Sequence, residues 1–527
     1  MAAVHAWLDT QLPAGIRADA WRVRLDRDTY VETADGALAR AGFGARLRKR
    51  GKQMILTLKS VVVAPADAEA AAPVDALHRR VEVEGPAGTG LDPEAWPESE
   101  ARALLLRLAD GRPLVARFTI RQRRSVRLLH AEDGSTAELS LDEAEVHSGR
   151  RSAGTFAELE VEAASEAAVT AVLQPMAAAL EGTSLVHPEG LSKEATAAAM
   201  VAAMESAEAG RSAFASLPKN PGVLPDDTLG TAGRKVLRLH LARMLALEAG
   251  TRSGEVAEDL HKMRVATRRM RAAWRVFDGA YKPGVQKRYV EELRDFATAL
   301  GAVRDLDVQL DGLESYRAGL TPAGAAAMLP LGEAWRERRE AARHALMKRL
   351  DSHDYAKFVA DYREFTERPG AGERTPVTNA PSLVRESAGG RIWQAYEHVR
   401  AHDATLLWAD TTGLHALRID AKRLRYALEF FREALPRAQT DRLIAAVTAL
   451  QDHLGELNDA DIAGLTAREF LVQHGSRLPQ ASREAIGHFL VAREEDVARL
   501  RRTLPPIWRR VSGPAFRRSL ASAIASL

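Results

Sequence analysis

The sequence predicts an α+β protein of two unlike halves, with strands first and helices after. Three observations carry that expectation. Residues 21 to about 163 alternate charged and apolar side chains with a period of two. From Ala164 onward the chain turns Ala-rich, and amphipathic stripes at helical spacing replace the alternation. Among the helical stretches a single segment is written twice, as HKMRVATRRMR at 261–271 and HALRIDAKRLR at 415–425, an offset of 415 − 261 = 154 residues. A second pair, GAVRDLD at 301–307 and GELNDAD at 455–461, keeps that offset, since 455 − 301 = 154. Two matched motifs at one spacing argue for internal duplication. The period is too long for a solenoid repeat, so two copies of a helical subdomain are expected.

Composition bounds the answer. A chain of 527 residues predicts about three or four domain-sized units. Lys and Arg total 74 against 71 Asp and Glu, a net charge of +3, so any functional charge is local clustering and not bulk. The absence of cysteine excludes disulfides, thiolate nucleophiles and Cys-ligated metals, and it fits a reducing, cytoplasmic setting. No apolar stretch is long enough to span a bilayer, so no membrane partner is expected. The opening MAAVHAWLDTQLPAG lacks the basic region, apolar run and cleavage site of a signal peptide.

The expected strands are 46–50, 53–59, 79–84, 117–123, 137–142 and 158–162. Glu158, Glu160 and Glu162 point one way while Leu159 and Val161 point the other. Arg117, Arg121 and Arg123 likewise oppose Phe118 and Ile120. An ordinary sandwich would place such charges in water. Here the strands are segregated by sign, which suits a closed polar tunnel with one basic and one acidic wall. A basic wall fits phosphate oxygens, and an acidic wall fits a hard divalent cation bridging them.

The duplicated helices have a chemical reading of their own. At roughly 100° per residue, His261, Arg264, Arg268, Arg271 and Arg275 fall within an arc of about 80°. Leu260, Met263, Thr267, Met270, Trp274 and Phe277 take the adjoining arc. The second copy puts His415, Arg418, Lys422 and Arg425 on one stripe beside Leu414, Leu417, Ala421, Leu424, Leu428 and Phe431. Arg-rich faces laced with Glu are common solvated surfaces, but these stripes hold no acid until Glu429. Four like charges on one face repel unless an anion neutralises them. The Pro- and Gly-bearing stretches 218–233 and 367–381 read as linkers.

These motifs resemble a known domain pairing. The helical half is similar to a CHAD domain, with its H-x-x-R-V-x-x-R-R-x-R helix and L-G-x-x-R-D-x-D-V segment at 261–271 and 300–308, and more loosely at 415–425 and 454–462. The resemblance implies two pseudo-symmetric four-helix bundles that bind inorganic polyphosphate. The contacts would be His261, Arg264, Arg268, Arg271, His415, Arg418, Lys422 and Arg425. The second copy departs by placing Lys422 where the first has Arg268, and Asn458 where it has Arg304. Lysine keeps a point charge but loses the bidentate fork, so the first copy is expected to contribute more.

The strand-rich half resembles a CYTH domain, the triphosphate tunnel fold, through YVET at 30–33, LARAG at 38–42, Arg46-Leu47-Arg48, Thr57-Leu58-Lys59, the Glu-x-Glu-x-Glu at 158–162, and Ser192-Lys193. An antiparallel β barrel is thereby implied. Its triphosphate-binding residues would be Arg46, Arg48, Lys59, Arg117, Arg121 and Lys193. Glu158 and Glu160 would be catalytic and, with Glu82 and Glu84, would hold Mg²⁺ or Mn²⁺ for hydrolysis of a short triphosphate such as tripolyphosphate. The family's opening E-x-E-x-K strand is not found in the 29 residues before Tyr30. A longer natural chain is expected, or else a non-catalytic phosphate binder.

The domains expected are 1–200 for the tunnel, 201–233 for a linker, 234–366 for the first bundle, 367–381 for a second linker and 382–527 for the second bundle. Binding to polyphosphate is expected to strengthen below about pH 6.5, as the histidines charge. A nucleic-acid-binding or granule-associated scaffold is the competing reading. Basic helices bind DNA too, but no aromatics interrupt the stripes to stack on bases, so no specific nucleic acid is expected.

Overall fold

The computed structural model describes residues 1–60, 81–183, 185–187, 190–375 and 381–527, and divides them into two compact units, Met1–Glu205 and Ser206–Leu527. The first unit is built on an antiparallel sheet of β1 (Arg17–Ala18), β2 (Arg22–Thr33), β3 (Phe43–Arg50), β4 (Gln53–Ser60), β5 (Glu82–Pro86), β6 (Leu114–His130), β7 (Thr136–Ser148) and β8 (Arg151–Ala163). Residues 79 and 80 of the expected third strand lie outside the described residues. The strands run in the order β5-β4-β3-β2-β6-β7-β8, with β1 beside β6. Among the described residues no ladder joins β5 to β8, so the expected closed barrel is here an open path of hydrogen bonds.

Strand β2 lies at the middle of this sheet, within the region of period-two alternation but not among the individually expected strands. RVRLDRDTYVET sets charged residues at even positions against Val23, Leu25 and Val31 at odd ones, with Arg27, Thr29 and Thr33 weakening the contrast. The usual burial rule is inverted along it: Asp26 and Asp28 are buried while Leu25 is 77% exposed. A sheet with a polar inner face requires this.

Helices close the two faces of the sheet. On one face, α1 (Ala2–Thr10) packs Val4 and Leu8 against Leu129 and Leu139. Beside them α2 (Ala37–Arg40) and α3 (Glu100–Ala109) bring Leu38, Ala101 and Leu105 to Leu47, Leu56 and Leu58. Farther along, α4 (Gln174–Glu181) adds Met176 to the first cluster. On the other face, α5 (Lys193–Ser216) packs Ala197, Val201 and Met204 over Tyr30, Phe118, Ile120 and Val146.

The division between the units falls within α5, which corrects the linker expected at 201–233. The run KEATAAAMVAAMESAEAGRSAFAS is made largely of strong helix formers. Irregular chain is confined to 217–228, where Pro218, Pro221 and Pro225 lack backbone donors. Thr228 then caps the next helix by accepting from the Thr231 amide.

The second unit repeats one pattern twice. The first copy is α6 (Leu229–Ala246), α7 (Ala257–Val276), α8 (Pro283–Arg317) and a fourth helix broken into α9 (Leu329–Leu350) and α10 (His353–Glu367). The second is α11 (Val384–Arg400), α12 (Thr411–Phe430), α13 (Arg437–His474), α14 (Gln480–Ser512) and α15 (Pro514–Ile524). Ser352 starts α10 by accepting from the Tyr355 amide. Its matched position, 352 + 154 = 506, is Pro506, which follows Pro505 inside α14. Proline removes a helical donor where the other copy interrupts the helix.

The copies are not separate domains, because one hydrophobic core runs through both. Phe277 and Phe431 are matched residues (431 − 277 = 154), and their rings meet edge to face with centroids 5.4 Å apart. Such a self-paired contact is what a pseudo-two-fold axis produces. The stretch between the copies is pinned to the first one: the Lys282 amide donates to the Gly372 carbonyl at 2.9 Å, and Glu373 pairs with Arg234. Residues 376–380 of that stretch lie outside the described residues. Among the described residues no helix is long and apolar enough to cross a membrane.

Candidate anion-binding sites

The two basic stripes, far apart in sequence, face each other. Helices α7 and α12 pack together in the shared core, in which Met263, Met270, Leu417 and Leu424 are buried. That packing turns the adjoining stripes toward one region. Arg264, Arg268, Arg418 and Arg425 all act electrostatically on Lys422. Arg264 and Arg268 also act on Arg418, and Arg304 acts on Arg264. Six cations therefore share a half-buried cluster. Few acids face it among the described residues: Arg264 bonds Asp305 at 3.1 Å, Glu429 lies 3.8 Å from Arg425, and Asp459 acts on Arg418. The buried Nε atoms of Arg268, Arg418 and Arg425 have no hydrogen-bond partner. Donors left idle in a half-buried site mark where an anion's oxygens fit.

The second motif explains how the arginines approach. Gly301 on α8 lies beside Arg264, and a Cβ there would sit 3.6 Å from its Nε. Gly455 on α13 lies beside Arg418 at 4.0 Å in the same sense. The matched aspartates then aim the matched arginines, with Asp305 bonding Arg264 and Asp459 acting on Arg418. Asp307 holds Arg339 at 2.6 Å.

The two copies differ at their histidines. His415 Nδ1 bonds Asn458 Oδ1 at 2.9 Å. The matched pair in the first copy is His261 and Arg304, where a cation replaces the amide acceptor. His261 Nδ1 is buried without a partner. Burial, then Arg304, holds His261 below the ordinary histidine value. The expected gain of charge near pH 6.5 is thus corrected for His261: it takes its proton at lower pH. Lys422 is shifted further, pushed down to about 7 by burial and by the surrounding arginines. Sequence alone showed Arg304 in a motif without placing it in the site. Arg271 stands at the edge of the cluster, where Arg294 is the charge that acts on it.

The inner face of the sheet carries a second charged site. Asp28 accepts from Arg48 Nε and Nη2 at 2.7 and 2.6 Å, with Gln122 at 3.3 Å. Burial raises the Asp28 carboxyl, but Arg48 and Arg46 outweigh it and hold it low. On the β7–β8 side, Lys193 reaches Asp142 at 2.5 Å, Glu158 at 3.3 Å and Glu160 at 3.4 Å. Arg124 joins them, 2.8 Å from Glu160. Burial raises Glu160, but Lys193, Arg124 and Lys59 together keep it low, so Lys59 on β4 acts on β8 across the curled face. Burial with Glu160 and Asp142 leaves Glu158 raised, despite the opposing Lys193.

Several expected residues fall elsewhere. Arg121 lies on the opposite face, in register with Arg27 and Glu145. Arg117 is exposed beside the irregularity at Tyr30/Val31 and lies 4.0 Å from Glu194. The cause is α5, whose apolar side demands Phe118 and Ile120 on the inner face, so that face continues to Gln122 and Arg124. Arg124, Asp28 and Asp142 were missed. Their signal was parity alone, each being even-numbered on a strand whose even residues face inward. Glu82 pairs with Lys59 at 2.9 Å and Arg46 at 3.4 Å, and Glu84 accepts from Thr57 at 2.7 Å. The four expected metal-ligating glutamates therefore form two pairs, on β5 and on β8, each with its own partners. Among the described residues no group of three or more acidic or histidine side chains is arranged to hold a metal ion. Asp142, Glu158 and Glu160 do converge, but on the Lys193 ammonium.

Comparison with known proteins follows the same division. The CYTH domain family matches residues 6–190, and the CHAD domain family matches residues 235–468. No curated protein matches the chain. Among solved structures, the CHAD domain from the plant Ricinus communis is 24% identical, covering 58% of this chain and 94% of that one, with a TM-score of 0.41. PptA from Streptomyces chartreusis is 16% identical over 54% of this chain and 100% of its own, with a TM-score of 0.43. HpAC1 from Hippeastrum, described as having a dominant triphosphatase activity, is 17% identical over 38% of this chain and 91% of its own, with a TM-score of 0.23.

Proposed function

Starting from a chain in which a CYTH domain is followed by a CHAD domain, we propose that it binds inorganic polyphosphate through the cluster formed between α7 and α12. One observation carries the reading: two duplicated stripes converge, and the buried Nε atoms of Arg268, Arg418 and Arg425 make no hydrogen bond. A polyphosphate chain offers closely spaced anionic oxygens to such donors, and it releases counterions on binding. Guanidinium forks pair with phosphate oxygens in twos. The setting proposed is the cytoplasm, at polyphosphate or other storage granules.

The test is a titration of the full chain with long-chain polyphosphate, alongside a variant with Arg264, Arg268, Arg418 and Lys422 changed to Ala. Binding by the wild type, lost in a variant that stays folded, is the expected result. Equal affinity of the two would count against the cluster. Displacement by DNA as effective as by unlabelled polyphosphate would favour the nucleic-acid reading.

A second activity is proposed for the inner face of the sheet, which gathers Arg46, Arg48, Lys59, Arg124 and Lys193. These cations suit a short triphosphate such as tripolyphosphate. Asp142, Glu158 and Glu160 are hard oxygen donors of the type that Mg²⁺ or Mn²⁺ prefers, once Lys193 turns to a bound phosphate. A divalent ion there would neutralise charge on the transferring phosphoryl group. The chain's own role is to orient the phosphates with Arg48 and Arg124 and to hold the carboxylates in place. Phosphate release from tripolyphosphate with either ion, abolished by Glu160→Ala, is expected. A wild type that neither binds tripolyphosphate nor releases phosphate from it would sink this second activity.

A further inference from the structure

The cluster's pseudo-symmetry is broken by charge at one matched pair. Glu429, in the last turn of α12, takes Arg269 at 2.9 Å and lies 3.8 Å from Arg425. It therefore ties α12 to α7 at one end of their crossing. The pseudo-two-fold axis maps these residues by the 154-residue offset: 429 − 154 = 275 and 423 − 154 = 269. The other end of the crossing should thus pair Arg423 with an acid at position 275. The residue there is Arg275.

The consequences are visible around it. The charges acting on Arg275 are those of Arg423 and Arg271. Arg294 is the charge that acts on Arg271. Arg423 bonds Asp420 on its own helix at 2.8 Å, but its buried Nε has no partner. Arg275 is exposed. A cation in the last turn of a helix is favoured by the helix dipole, which accounts for one arginine and not for three facing one another. One end of the crossing is closed by an ion pair between the helices; at the other, Arg423 is tied to Asp420 on its own helix and no acidic side chain pairs with Arg275 among the described residues, which leaves a cationic mouth continuous with Arg268 and Arg271.

We infer that the polyphosphate site is one-ended: a chain held in the central cluster extends past Arg271 over Arg275 and Arg423, while the Arg269–Glu429 pair blocks the opposite exit. Arg275 and Glu429 thereby set the direction in which polymer leaves the site. This rests on polyphosphate binding by the cluster.

The experiment uses the full chain and long-chain polyphosphate at fixed ionic strength, with the charge-swapping variants Arg275→Glu and Glu429→Arg. Arg275→Glu gives Arg423 the acid that Glu429 gives Arg269, whereas Glu429→Arg leaves Arg269 without an acid, because Ala266 stands where the other copy has Asp420. Arg275→Ala serves as a second, milder variant, and thermal melts verify folding. Arg275→Glu is expected to weaken binding about tenfold, and Arg275→Ala to lower the steepness of the salt dependence by about one charge. Glu429→Arg is expected to tighten binding, and the double swap to return near the wild type. Binding by the wild type that is unchanged in every variant would overturn the inference alone. No binding by the wild type would overturn the polyphosphate reading, and the inference with it.

Discussion

At the scale of the residue, charge environment outweighs residue type. Lys422 looks in sequence like a conservative replacement for the arginine of the other copy. In place it is pushed down to about 7, by burial and then by Arg418, Arg268, Arg264 and Arg425. The unfolded chain keeps that proton to about pH 10.4, so between about pH 7 and pH 10 it binds more protons than the native state does. Lys422 therefore makes the unliganded protein more stable as pH rises through that window. Anion binding has the opposite sign, because it needs the ammonium form. Polyphosphate affinity should fall as pH rises through 7, and Lys422→Arg should flatten that fall. Titrations at constant ionic strength check this, and parallel profiles for the two proteins would refute it. His261, held below the ordinary histidine value, leaves this window to Lys422. The Asp28–Arg48 pair shows a different balance, because both partners are buried and bonded by two hydrogen bonds. Asp28→Ala leaves Arg48 without its bidentate partner, with only Asp26 at 3.9 Å among the described residues, and should destabilise the first unit by about 3–5 kcal/mol, read by denaturant unfolding. The Asp28 carboxyl is depressed in the fold, so its contribution is present above about pH 3.9 and is lost as pH falls through its lowered value.

At the scale of the element, the helices and the mutual contact at their axis behave as independent facts. Phe277 and Phe431 are fully buried and pack on each other where the copies meet. Phe277→Ala should cost about 3–5 kcal/mol in the helical unit's transition, since a ring-sized void opens in a core shared by both bundles. A loss below about 1 kcal/mol would mean that the copies do not depend on this contact. The amphipathic stripes of α7 and α12 were legible because a helix face is fixed by local spacing. Their convergence was not, because it depends on packing between segments 154 residues apart. Strands gave less. Alternation reveals two faces but not which one lies inside when both carry charge. Arg121 was therefore placed on the wrong face of β6, and β2, inside the region read as strands, was not singled out. The parity of Arg124 and Asp142 becomes meaningful only once α5 fixes the apolar half of the inner face. The expected linker at 201–233 illustrates the remaining limit: an Ala-rich run carries helical propensity wherever it falls, and the true break comes at Pro218.

At the scale of the whole molecule, a net charge of +3 conceals an uneven distribution. The inner face of the sheet is self-paired, with Lys193 among three carboxylates. The cluster between α7 and α12 is not, with Arg264, Arg268, Arg304, Arg418, Lys422 and Arg425 facing few acids. Salt should therefore act on binding through the helical unit and not through bulk charge. If each of these six cations releases counterions as on a single-stranded polyanion, the logarithm of affinity should fall with the logarithm of salt at a slope of about −4. A slope near zero would mean that binding is not by this cluster. The copies should also differ. Removing Arg264 and Arg268 deletes two permanent charges, whereas removing Arg418 and Lys422 deletes one permanent charge and one that must first regain its proton above about pH 7. The first double alanine variant should lose more affinity than the second. The gap should widen from about pH 6 to about pH 8.5, since protonating Lys422 then uses some of its own binding energy. Equal losses at both pH values would show that the lysine stays charged, and that the two copies contribute alike.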